Sequence, residues 1–417
     1  MTGPDGFTKR YRVGRLGQNT VLYAGGMGAR AVIQAAYLVL LSRWMGPEGY
    51  GYFAGSVAAA VILSPLAGWG VSFLIARNVG LDATARGAMW ATALNQIALS
   101  GIVLVSLVML ASAGLLDHRV STSAMLMLAI AELVALPMAN TAAGLALAVD
   151  KGWAATVATM LVPAGRLSSV GAWMASGGHP SPDAVAAAHL CGSLLGAAAA
   201  FLLMARIGAR PQWQERLPML SAARVGMSHA FGTLVGVSYL ELDKVILLQV
   251  VDAATAGAYT VAFRAVALFV LPVTALVASA IPRLLTSAGG PAEPVLRRAI
   301  QRTLVGYAIL ATALALVSAP LLPMVFGPGY SGSSRYMVML APWIMIFAAH
   351  QYLGTRLTTS DRQGLRLAIE SGGMVLLLAL NLHWIPELGA DGAVAALYCA
   401  ELVMILAFAW RGGRKTS

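Results

Sequence analysis

Arg30, Arg166, Lys244 and Arg264 each stand inside a run of apolar residues long enough to cross a bilayer. A charge near the middle of such a run costs roughly 2.5 to 3.5 kcal/mol on insertion scales, so charges of this kind are kept where they bind something or pair inside a bundle. Guanidinium and ammonium groups suit phosphate oxygens, which they hold by charge-assisted hydrogen bonds. Acids share the same runs, at Glu132, Glu241, Asp243, Glu370 and Glu401. Each cation therefore has two readings. Arg30 and Arg264 fit a cation facing a wet cavity or one arm of a structural ion pair. Lys244 follows Asp243 directly, which favours a local salt bridge. Arg166 comes after Pro163 and Gly165, where the helix can open and the side chain can cap carbonyls.

His229, Gly236 and Asp243 recur every seven residues and fall within about 40° of one helix face at 100° per residue. That face can carry a proton or sodium path, or a polar seam that glues two bundles together. Glu132, five residues before Pro137, and Glu370 can accept a proton or pair with an arginine. His189, His350 and Glu401 are lone polar residues on apolar helices, where hydrogen bonding in the core is the default. Trp44, Trp69, Trp343 and Trp384 read first as anchors at the two membrane interfaces.

Long apolar helices must position these groups. Of the 417 residues, 59% are hydrophobic and 11% charged, which describes a polytopic membrane protein. About twelve spans follow, the first two at about 20–41 and 52–75 with a Gly/Pro turn between them. The positive residues gather on one set of connections and nearly vacate the other, which predicts an even number of spans with both termini in the cytoplasm. We read residues 1–19 as a cytoplasmic segment, 20–206 as a six-helix bundle, 207–224 as a cytoplasmic linker, 225–410 as a second six-helix bundle and 411–417 as a tail. The net charge of +11 is spread over short loops, so no nucleic acid partner is implied. The basic stretch PAEPVLRRAIQR reads as a short surface helix or a solvated linker. Cys191 and Cys399 both sit in apolar runs and imply neither a disulfide nor a metal. No phosphate-binding Gly-rich loop, metal-ligand spacing or nucleophile elbow occurs. An enzyme is not expected, and no cofactor.

The halves repeat. GYGYF…SPL…IARN after the first span matches AGAYT…LPV…IPRL after the seventh, pairing Tyr52 with Tyr259, Pro65 with Pro272 and Arg77 with Arg283. Six helices intervene, so the copies run the same way through the bilayer. The expected architecture is all-α, two six-helix bundles related by a pseudo-two-fold axis along the membrane normal, with a central cavity. The strings LLSRWMGPEGYGYF, ELDKVILLQVVDAATAGAYTVAFR and LLPMVFGPGYSGSSRYMVMLAP, in that order, resemble the bacterial polysaccharide transporters, the O-antigen type flippases. That resemblance implies a flippase of the bacterial inner membrane, moving an undecaprenyl-pyrophosphate-linked oligosaccharide by alternating access for surface or exopolysaccharide biosynthesis. It implies Arg30, Arg264, Arg166 and Lys244 as head-group cations, and His229, Asp243, Glu241, Glu132 and Glu370 as a polar seam or coupling path for H+ or Na+. Membrane lipid and a polysaccharide polymerase are the further partners it suggests. A cation-coupled drug antiporter of the same superfamily is the alternative, and a membrane glycan polymerase or ligase a more distant one.

Overall fold

The computed structural model describes residues 15–115, 120–287 and 290–412, and their regular structure is entirely helical. The expected tails fall largely outside these residues. Twelve long helices follow one another among the described residues: α1 (15–45), α2 (47–81), α3 (Arg86–Leu115), α4 (Thr122–Ala148), α5 (Gly152–Ala175), α6 (Pro182–Arg206), α7 (Met219–Val250), α8 (Ala253–Thr286), α9 (Ala292–Phe326), α10 (331–358), α11 (Gln363–Leu388) and α12 (Ala390–Gly412). Eight stretches meet the length and hydropathy of a membrane span, the first of them holding both α1 and α2; α10 adds a bent pair. The remaining two helices, α5 and α7, are those that carry Arg166 and the Glu241–Lys244 charges.

The first six helices form one bundle and the last six another. The turn expected between the first two spans shrinks to a single left-handed residue, Gly46 (φ 69°), and Pro47 begins α2, where a missing N–H is tolerated. The paired prolines behave differently. In α2, Pro65 is joined by Gly68, Trp69 and Gly70, all with positive φ, and the helix breaks outright; the freed Gly68 N–H donates to Ser100 Oγ at 2.8 Å. Pro272 has no such neighbours, and α8 runs through it unbroken. The PAEPVLRRAIQR stretch is the first turns of α9 rather than a separate surface helix or linker, because no breaker separates it from the apolar run that follows.

The two copies of the sequence repeat meet. A Cβ on Gly51 of α2 would stand 1.7 Å from the Ala253 carbonyl of α8, and one on Gly257 would stand 2.1 Å from the Pro47 carbonyl. Only hydrogen at these positions permits backbones so close. Tyr330 donates to the Ser42 carbonyl at 3.0 Å and Arg43 to the Met324 carbonyl at 2.8 Å, so this face of the molecule is sealed across the bundles. Lower down, the α2 break packs on α7, with Gly226 lying where a Cβ would meet the Trp69 carbonyl at 2.3 Å. The ends of α2, α6 and α10, which carry Arg77, Arg206 and Arg356, lie with Arg86, Arg210, Arg216 and Arg362 at the opposite face.

Candidate functional site

Three charged clusters lie within the spans. The first sits in the amino-terminal bundle and is built round Glu132. Pro137 lacks the N–H that would bond back to residue 133, and α4 widens into a π-turn over Ala131–Ala135, presenting Glu132 inward. Its carboxylate is 1% exposed and lies 2.9 Å from Arg166 Nη2 of α5 and 3.0 Å from His189 Nε2 of α6. Tyr37 of α1 meets His189 Nδ1 at 2.7 Å, and Arg166 Nε donates to Ser193 Oγ at 2.8 Å. Four helices therefore share one chain of polar contacts, hydrogen-bonded from Tyr37 through His189 to Glu132 and ion-paired from Glu132 to Arg166. If the tyrosine donates to Nδ1, the neutral ring donates from Nε2 to the carboxylate; a protonated ring donates to both neighbours.

The second cluster joins α7 to α8. Arg264 Nη2 lies 2.9 Å from Glu241, Lys244 Nζ lies 2.9 Å from Asp243 and 3.9 Å from Glu241, and Tyr259 donates to Asp243 Oδ2 at 2.6 Å. Lys244 also donates to the Leu240 carbonyl and lies 3.7 Å above the Phe263 ring. Its side chain is wholly buried, whereas that of Arg264 is 38% exposed. Lys244 thus neutralises Asp243 in a dry setting, and Arg264, paired with Glu241, has a free flank. Arg264 is within electrostatic reach of Glu132 in the other bundle, and with Glu241 it acts on Tyr50 of α2.

The third cluster joins α10, α11 and α12. His350 Nδ1 meets Glu401 at 2.7 Å, and its Nε2 lies 3.7 Å from Glu370, which also accepts from Arg366 Nε at 2.7 Å. Trp343, 1% exposed, donates to the other Glu401 oxygen at 3.0 Å. It is a buried hydrogen-bond donor here and no interface anchor, because its indole N–H has the acid to satisfy it.

Arg30 stands apart from these clusters. It donates to Asn140 of α4 at 3.4 Å, and Gln34, one turn on, is exposed. Val32, 69% exposed and apolar, points about 160° away from both at 100° per residue. The lipid-facing side of α1 is thereby opposite the polar one, and Tyr37 shares the polar side. Of the seven-residue series on α7, only Asp243 joins a charged cluster. His229 is exposed and stacks on Phe73 with ring centroids 5.6 Å apart, and Gly236 borders open space. Among the described residues no group of three or more metal-binding side chains is present.

Of the neutral groups that complete the clusters, sequence reasoning passed over Tyr37 and Ser193 and read Tyr259 only as a mark of the repeat and Trp343 only as an anchor. Spacing within one helix does not reveal partners on another. The usable signal was that His189 lies on a helix whose middle is otherwise almost free of polar residues.

Residues 16–287 match the family model described as polysaccharide biosynthesis protein. The fold is shared with solved transporters: a multidrug resistance MATE family transporter of the MOP superfamily in its inward-facing conformation (14% identity, 91% of this chain and 93% of that one, TM-score 0.73), and the MATE multidrug transporter DinF-BH (14%, 99% and 97%, TM-score 0.69). The lipid II flippase MurJ in its inward closed conformation is similar too, at 12% identity over 94% of this chain and 87% of that one, with a TM-score of 0.64. No curated protein sequence matches significantly. With more than half its length covered by the family model, this multi-pass chain belongs to the polysaccharide biosynthesis protein family.

Proposed function

We propose that the protein flips a lipid-linked oligosaccharide, of the undecaprenyl-pyrophosphate kind, across the bacterial inner membrane by alternating access between the two bundles. One observation carries the reading. In the second cluster Lys244 already balances Asp243, while Arg264 holds Glu241 and keeps 38% of its side chain exposed at mid-span. A guanidinium held by one edge leaves its other edge for a diphosphate. Arg30, on the polar side of α1 with Gln34 and Asn140, supplies a cation from the other bundle. On this reading Arg166 and Lys244 position Glu132 and Glu241. On the same reading a chamber between the bundles opens toward the arginine-rich, cytoplasmic face, and the Gly51–Gly257 crossing closes the other. Residues 20–206 and 225–410 are the moving bodies and 207–224 their link. A polymerase would receive the product on the far side.

The test is export of a lipid-linked glycan in cells that carry Arg264→Ala or Arg30→Ala as the sole copy. Loss of export at normal membrane abundance supports the reading, and undiminished export in the double variant refutes it. The buried acids favour a second reading, cation-coupled antiport of small molecules, with H+ or Na+ taken up at Glu132–His189, Glu241–Asp243 or Glu370–His350. His229 then serves as an entry group. Drug efflux that depends on Glu132→Gln or Asp243→Asn and ignores Arg30 selects that reading.

A further inference from the structure

The outer surface of the carboxy-terminal bundle carries a groove between α9 and α10 that plays no part in the function proposed above. Three cavities of about 370, 430 and 500 Å³ run into one another there, sharing Gln301 and Val305, Arg298, and Tyr352 and Arg356. The groove has two unlike ends. Toward the arginine-rich face it is bordered by Arg298, Arg302 and Arg356, all exposed. One acid, Glu293, lies among them, and it is 2.6 Å from Arg297. Among the described residues no carboxylate pairs with Arg298, Arg302 or Arg356. Toward the middle of the membrane the groove turns apolar, floored by Leu304, Ala308 and Ala348 and walled by Val305 and Met345. Arg302 to Ala308 spans about 9 Å along the helix, so the apolar part begins where the basic part ends.

Its surroundings decide what can reach it. Val305, Ile309, Leu310 and Met345 are 45–57% exposed, as on a surface facing hydrocarbon. A soluble anion can meet the arginines but has nothing to place in the slot. A phospholipid from the adjoining leaflet has both parts. At the corresponding edge of the other bundle α3 brings a single arginine, Arg86, whose Nε donates to the Gly208 carbonyl at 3.0 Å.

We propose that this groove is a binding site for an anionic phospholipid of the arginine-side leaflet, the phosphate held by Arg298, Arg302 and Arg356 and one acyl chain lying over Ala308 and Ala348. Each phosphate–arginine bond forms at the edge of the hydrocarbon, where charge-assisted hydrogen bonds are screened less than in water. The site is separate from the seam between the bundles.

The experiment is native mass spectrometry of the detergent-purified full chain titrated with phosphatidylglycerol or phosphatidylcholine. One tight phosphatidylglycerol adduct is expected, at least tenfold preferred over phosphatidylcholine. It should disappear in Arg298→Gln/Arg302→Gln/Arg356→Gln, return in the triple Lys variant, and weaken when Ala349, exposed at the slot, becomes Trp. A matched triple of basic residues away from the groove, Arg77→Gln/Arg206→Gln/Arg210→Gln, should leave it unchanged. Equal loss in that control, or persistence in the groove variant, overturns the site. So does displacement of the adduct by a polyprenyl pyrophosphate, which would make the groove a substrate-tail site instead. Size-exclusion profiles confirm that each variant is folded.

Discussion

The two bundles solve one problem in inverted ways. Each buries a histidine against a glutamate, but in the amino-terminal bundle the acid is the hub, held between Arg166 and His189, whereas in the carboxy-terminal bundle the ring is the hub, held between Glu370 and Glu401. The carriers also trade places: glutamate on α4 and histidine on α6, against histidine on α10 and glutamate on α12. Depth differs as well. His189 lies seven residues from the start of α6, about 10 Å below the sealed face, and His350 eight residues from the end of α10, about 12 Å above the arginine-rich face. A repeat that began as two copies has thus been rebuilt so that one acid–imidazole pair lies nearer each side of the membrane. The lesson is that the backbone repeat constrains helix packing far more than it constrains which residue bears the charge.

That comparison can be broken most forcefully at the hubs. Glu132→Leu leaves Arg166, 12% exposed, without its acid, and a buried charge deprived of its partner costs about 3–5 kcal/mol. A melting curve in detergent should show the largest drop of any variant here. His350→Leu should cost less, about 1.5–3 kcal/mol, because Glu401 keeps Trp343 and Glu370 keeps Arg366. An equal loss from the two would mean that hub identity does not matter. The exchange Glu132→His with His189→Glu sharpens the point, since it gives the first bundle the arrangement of the second. Arg166 already touches the α6 side through Ser193, so the double variant should regain roughly half of what Glu132→His alone loses, the partial coupling expected of residues in contact. Smallest is Arg366→Gln. Its pair with Glu370 is partly exposed and one turn apart on a single helix, so the loss should stay within about 1 kcal/mol in the same melting assay.

Much of this architecture was legible beforehand, because hydrocarbon leaves a chain so few options. Apolar runs gave twelve spans, and the Tyr52–Tyr259 and Arg77–Arg283 matches gave the two halves. What stayed hidden depended on contacts between helices. Nothing local distinguishes Pro65, which breaks α2, from Pro272, which leaves α8 straight, until the glycines beside Pro65 are seen in left-handed conformations. Lys244 was read beside Asp243, and the structure adds Glu241 and the Phe263 ring from one turn and one helix away. Arg30 and Arg264 each had two readings, a cation facing a cavity or one arm of an ion pair; Arg264 forms the pair with Glu241, and only packing shows that α1 turns Val32, not Arg30, outward.

The central claim is that a cation exposed at mid-span meets the phosphorylated head of the substrate, and Arg264 states it most sharply. Replacing it by Glu reverses the charge while Lys244 keeps its pair with Asp243, and a flipping assay in proteoliposomes with a fluorescent polyprenyl-pyrophosphate glycan reads the result directly. Transfer should be at least a hundredfold slower in Arg264→Glu and recover in Arg264→Lys. Transfer at the unaltered rate in Arg264→Glu would contradict the claim.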